Sequence, residues 1–242
     1  MRFRLAGSMA LLCAIVLPQC MRVTDGIEVD VAYLAEPTPL EIRTDLGYRV
    51  RLDRALIAVG QVELVRCDDF VAEFFGLFRA AHARAHVLDT PTSLGEPLVL
   101  DLMEGAGTPE YAGTMKPPPG RYCGVRLVGM PADEDAPGLN DKNQEMTEYT
   151  VLVEGWVRAE GEETGTRLLV PIGNPFQREL PLARPLVFES PVLENISIRI
   201  DHMSWFDGID FAPLSEDAVR ERITENVQSS LTAALPDSDD GL

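Results

Sequence analysis

The sequence predicts an all-β fold: an antiparallel β-sandwich, Ig-like or transthyretin-like, carrying one α-helix near its C-terminus. Three observations predict it. Short runs that alternate apolar and polar residues recur along the body. Gly and Pro punctuate the gaps between them, with no helical pattern between successive strands as a βαβ chain would need. Apolar residues recur every four positions in one late stretch, the signature of a helix face.

Taken in order, the first strand run is "IEVDVAYL" from Ile27. "YRVRLDRALIAVGQVELVRC", Tyr48 to Cys67, holds two alternating runs, with Gly60 marking a bulge or turn. "LVLDLM" from Leu98 is a short apolar run. "GRYCGVRLVGM" follows the "KPPPG" punctuation and begins at Gly120. "YTVLVEGWVRA" from Tyr149, "TRLLVPI" from Thr166, "RPLVFE" from Arg184 and "NISIRID" from Asn195 complete the set. Between them, "DDFVAEFFGLFRAAHARA" from Asp68 reads as one or two helical turns, with Phe70, Phe74 and Phe78 four apart. Late in the chain, Ser215 is a good N-cap with Glu216 and Asp217 in the first turn. Val219, Ile223, Val227 and Leu231 then share a face, and Pro236 closes the element. No internal repeat or long linker divides the body. The expected organisation is a signal at 1–20, one sandwich domain at 27–212, a packed helix at 213–235 and a disordered acidic tail at 236–242.

Composition bounds the function. The chain has 242 residues, ample for a sizeable core, with 45% hydrophobic and 25% charged residues. Lys and Arg number 21 against 39 Asp and Glu, a formal net charge of -18. Such a surface repels nucleic-acid phosphates and anionic lipid headgroups. No nucleic-acid partner is therefore expected, and contact with a membrane only through the N-terminus. That N-terminus reads as an export signal: Arg2 and Arg4, then the apolar "MALLCAIVL" of Met9 to Leu17, too short to span a bilayer. "LPQC" follows, and a cysteine directly after the apolar run resembles a bacterial lipobox. Gln19 stands where a small residue is usual. Lipidation at Cys20 and simple secretion both remain open, with the periplasm or outer membrane as the expected location.

The cysteines bear on the same choice. Cys13 leaves with the signal, and lipid on Cys20 leaves Cys67 and Cys123 as one even pair. In an oxidising compartment that pair is expected as a disulfide, with two separate buried thiols as the alternative.

Signatures of catalysis are scarce. There is no G-x-S-x-G elbow, no H-E-x-x-H, no P-loop and no dinucleotide fingerprint. The reading is non-enzymatic. "DEDAPGLNDKNQE" from Asp133 places Asp133, Asp135 and Gly138 at the first, third and sixth positions of an EF-hand, but Gln144 occupies the twelfth, where a bidentate Glu is needed. A solvated turn is the expectation there. The candidates for metal are the three histidines. In a helix His82 and His86 share a face one turn apart, suited to one ion; in a strand they stand roughly 13 Å apart, too far for one ligand sphere. His202 lies in "DHMSWFDGIDF", just after a strand, and a rim that gathers two or three imidazoles suits copper or zinc. Otherwise these histidines cap backbone groups or sit half-buried. "WFDGIDF" itself reads as structural, with aromatic plugs and a tight turn at Asp207-Gly208.

The export signal, the "PPPGRYCGVRL" strand and the late histidine with a nearby tryptophan together resemble the MbnP-like family of bacterial envelope copper-binding proteins. The chain is similar in texture to uncharacterised envelope lipoproteins as well. The family resemblance implies an exported β-sandwich in which His side chains, with a modified Trp in some relatives, bind copper. It makes His202 and Trp205 the candidates here and assigns nothing to the "AHARAH" pair. Two functions follow as expectations: an envelope protein that binds copper or zinc through His82, His86 and His202, or a metal-free structural or protein-interaction module of the envelope.

Overall fold

The computed structural model describes residues 26–68, 90–212 and 215–236. Two sheets face one another across one hydrophobic core, and a helix packs near the C-terminus, the sandwich the sequence predicts. The strands are β1 (Ile27–Ala35), β2 (Ile42–Arg43), β3 (Tyr48–Arg66), β4 (Ser93–Leu94), β5 (Leu98–Asp101), β6 (Glu110–Met115), β7 (Gly120–Gly129), β8 (Val151–Ala159), β9 (Thr166–Ile172), β10 (Phe176–Phe188), β11 (Val192–Ile200) and β12 (Leu231–Ala234). The helix α1 spans Glu216–Ser230. The smaller sheet runs β12-β11-β1-β6. The larger runs β10-β7-β3-β8-β9, with β2, β4 and β5 also paired to β3.

Alternation explains which faces meet. In β1, Ile27, Val29, Val31, Tyr33 and Ala35 point into the core and the residues between them point out. β11 does the same with Ile196, Ile198 and Ile200. These two strands pair in parallel, Ile27 with Val192 through to Ala35 with Ile200, within an otherwise antiparallel set of pairings.

The long strand β3 departs from simple alternation in its middle, where Ala55 to Val59 are all buried. One face meets the main core. The other is covered by the segment after β7, which builds a second small cluster from Leu56, Ala58, Val99, Ala132, Ala136, Met146 and Leu152. Strands buried on both faces read as continuous apolar runs, and "ALIAV" is one. Gly60 does not end the strand. The register with β7 shifts between Val59 and Gln61, and a Cβ on Gly60 would meet Met130 Sδ at 2.2 Å.

The acidic loop from Asp133 is a packed cover where a solvated turn was expected. Ala136 and Asn143 are buried, and Asn143 Nδ2 donates to the Gly138 carbonyl at 2.9 Å. Gly138 lies against the chain at a φ of 79°, and a Cβ there would stand 2.0 Å from the Val99 carbonyl oxygen. The C-terminal helix is also shorter than the expected 213–235. Ser230 Oγ donates to the Val227 carbonyl, no glycine caps the end, and Leu231 turns extended. Leu231–Ala234 then pairs with β11 as an edge strand, because β11 has an open ladder there to satisfy. Among the described residues no helix is long and apolar enough to cross a membrane.

Candidate functional site

The parallel pairing of β1 with β11 determines what meets at one end of the sandwich. Both strands finish at the same edge, so the segments that follow, Glu36–Thr38 and Asp201–His202, emerge side by side. The Glu36 amide donates to the Ile200 carbonyl at 3.2 Å. Two residues on, Thr38 Oγ1 hydrogen-bonds His202 Nε2 at 2.5 Å, across 164 residues of sequence.

His202 opens a 3₁₀ turn, His202–Phe206, whose residues His202, Trp205 and Phe206 are buried. The turn is pinned from two sides. Trp205 Nε1 donates to Ser230 Oγ at 2.9 Å, and Asn226 Nδ2 of α1 donates to the carbonyls of Trp205 and Asp207 at 3.0 and 2.8 Å. The Gly208 amide donates to Asp45 Oδ1 at 2.7 Å, and Tyr48 donates its hydroxyl to Asp210. The expectation of aromatic plugs and a tight Asp207-Gly208 turn matches what is found. Trp205 stands edge-on to His202, with ring centroids 6.2 Å apart.

Two polar atoms in this corner are left over. His202 Nδ1 and Asp201 Oδ1 are buried and have no hydrogen-bond partner among the described residues. Buried polar atoms without partners are uncommon and call for an explanation. Burial pushes the His202 pKa down, against the nearby charges of Asp201 and Glu36 and the Ile200 carbonyl, which favour the charged ring. Desolvation raises Asp207 in turn, reinforced by Asp45 and Asp201 and opposed by the Asp45 backbone. The corner therefore holds a neutral imidazole in a field of carboxylates. The Thr38 hydroxyl can donate to Nε2 or accept from it, according to the tautomer; with the proton on Nε2, Nδ1 would present a lone pair. A hydrogen bond from the far ring nitrogen to an oxygen is the usual support of a metal-bound histidine.

The donor types suit copper or zinc, but one imidazole and one carboxylate oxygen fall short of four ligands. Among the described residues no group of three or more His, Cys, Asp or Glu converges. His82, His86 and Cys20 lie outside the described residues. His202 itself is sealed in the interior, where an open rim was expected.

The cysteine pair is brought together. Cys67 and Cys123 form a disulfide with Cα atoms 4.7 Å apart, tying the end of β3 to β7. Thr38, Asp201 and Ser230 are the corner's partners that sequence reasoning passed over. Thr38 sits in the Pro-punctuated "EPTPL", which carries no metal or catalytic pattern.

No family model and no curated protein matches the sequence. Among solved structures the chain is similar to MbnP from Methylosinus trichosporium, at 12% identity and a TM-score of 0.31, over 74% of this chain and 76% of that one. The resemblance is weak, and no residue or role is carried over from it.

Proposed function

We propose that this is an exported, non-enzymatic envelope protein that binds copper or zinc through histidine, with His202 Nδ1 as a ligand and His82 and His86 as the partners that complete its sphere. One observation carries the reading: a buried, neutral imidazole is held by Thr38 through one nitrogen while the other has no protein partner among the described residues. Neutral imidazole ligates these metals with little proton cost. The acidic surroundings of Glu36, Asp201 and Asp207 favour a cation. In this reading the export signal is removed or retained as a lipid anchor on Cys20, and the disulfide reflects an oxidising compartment.

Calorimetric titration with Cu(II) and Zn(II) tests it. The wild type should bind one equivalent. His202→Gln, which keeps a hydrogen-bonding group near the Nε2 position and removes Nδ1, should weaken binding by about tenfold or more, and His82→Ala/His86→Ala likewise. Equal affinity in wild type and variants, or none in the wild type, contradicts the proposal. The second reading, a metal-free interaction module, then stands; it is favoured by the outward-facing Trp156 on β8, 41% exposed.

A further inference from the structure

We propose that the outward face of β2, β3, β8 and β9 binds an acidic carbohydrate, stacking a sugar ring on Trp156 and holding its carboxylates with Arg51 and Arg167. The inference is independent of the metal reading.

The register builds this face. Residues directly opposite on paired strands share one side of a sheet. Arg43 pairs with Arg49, and Arg49 with Arg158, giving one row of three arginines across β2, β3 and β8. In the neighbouring row, Arg51 pairs with Trp156, and Trp156 with Arg167 of β9. The alternate positions Val50, Leu52, Val157 and Leu168 face the core, so these two rows face outward. A chain with net charge -18 thus gathers five arginines around its exposed tryptophan.

The two rows differ in how their charge is spent. In the first, Glu160 reaches Arg43 at 2.6 Å and Arg49 at 3.6 Å, while Glu41 reaches Arg49 at 3.2 Å and Arg158 at 2.6 Å. Hydrogen bonds from Arg158 and Arg49 hold the Glu41 pKa down. That chain of alternating charges occupies the donors of its arginines with carboxylates of the chain itself. In the second row Arg51 stands 3.7 Å from Asp53 and Arg167 3.9 Å from Glu154, separations too long for hydrogen bonds. Glu154 is itself bonded to Arg54 at 3.0 Å. Both guanidinium groups are well exposed and keep donors for an incoming anion.

A groove of about 470 Å³ runs along this face, lined by Arg49, Arg51, Trp156 and Arg158 together with Glu41 and Glu163; Arg167 lies outside this lining, opposite Trp156 on β9. Its size falls within the range of small-ligand sites, roughly 300–1,000 Å³. The chemistry is a flat apolar surface flanked by planar, bidentate carboxylate binders. A uronic acid matches it: one face of the ring offers C–H groups to stack on indole, and the carboxylate lies at the ring edge. A bilayer does not match, because Trp156 is the one large apolar side chain in these rows. Long polyanions are disfavoured by the charge of the whole molecule, so the ligand is a short oligosaccharide or a chain end.

The test is titration of the full chain with trigalacturonate, in buffer containing a chelator, followed by tryptophan fluorescence and calorimetry. Saturable binding is expected at one site. Trp156→Ala should abolish it. Arg51→Ala and Arg167→Ala should each weaken it by about tenfold or more, the scale of one lost charge-assisted bond. On the wild type alone, the methyl-esterified trisaccharide should bind at least about tenfold more weakly, an arm that needs no variant to fold. Arg178→Ala, on β10, should leave binding unchanged. The proposal is overturned by absence of binding, by unchanged binding in a folded Trp156→Ala variant, by equal affinity for the ester, or by inorganic phosphate displacing the sugar at matching concentration.

Discussion

The chain holds two tryptophans in opposite circumstances. Trp205 is fully buried, its indole N–H given to Ser230, with α1 folded over its turn. Trp156 stands on the outer face of β8 between two arginines, 41% exposed. Around the first, polar groups have left water, so each needs a partner and the leftover atoms, His202 Nδ1 and Asp201 Oδ1, become informative. Around the second, charges remain in water, where ion pairs contribute little stability and are free to exchange partners. Burial decides how a polar side chain is to be read. In the corner an unpaired atom is costly and calls for an explanation; on the open face the informative feature is the arrangement of groups, since no single one is under strain.

The largest expected effect separates the two regions directly. Trp205→Ala should lower stability to urea by about 3–5 kcal/mol, from the cavity and the lost bond to Ser230. If that variant unfolds at the wild-type midpoint, the corner is not the packed element described. Acid should act next, on the same region. The folded pKa of His202 lies below its usual 6.5, so the unfolded chain takes up the proton first. The stability tied to the neutral ring is full above pH about 6.5, declines as pH falls below it, and is lost once pH drops under the folded value. In thermal melts against pH, His202→Gln should flatten that part of the curve; an unchanged profile would remove the titration from His202. The smallest effect is expected on the open face, where Trp156→Ala should change stability by no more than about 0.5 kcal/mol. A loss as large as that of Trp205→Ala would make Trp156 a packing residue and erase the contrast.

Much of the fold was legible because a strand with one buried face must alternate. The runs at Ile27, Gly120 and Thr166 begin where β1, β7 and β9 do. β6 escaped notice because "EYAGTM" carries one fully buried apolar residue, Met115, and no alternation. β12 escaped because Leu231 continues the four-residue stripe of α1 while its backbone has already joined β11. Of the candidate site, His202, Trp205 and the Asp207-Gly208 turn could be picked out by residue type. Their partners could not. Thr38 meets His202 only because β1 and β11 run parallel, a pairing between distant segments that no local pattern encodes. The arginine rows are hidden for the same reason, since Arg51, Trp156 and Arg167 become neighbours only once register is known. The cysteine pair was legible from the cysteine count and the expected export alone.

In the proposed metal site His202 offers Nδ1 to the ion while Nε2 stays with Thr38. The most direct measurement is the ¹⁵N spectrum of the His202 ring, assigned by comparison with His202→Gln, before and after one equivalent of Zn(II). A neutral ring protonated at Nε2 is expected in the metal-free protein, with the Nδ1 resonance moving on addition of zinc and Nε2 keeping its proton. A ring protonated at Nδ1, or one whose resonances do not move with zinc, would contradict it.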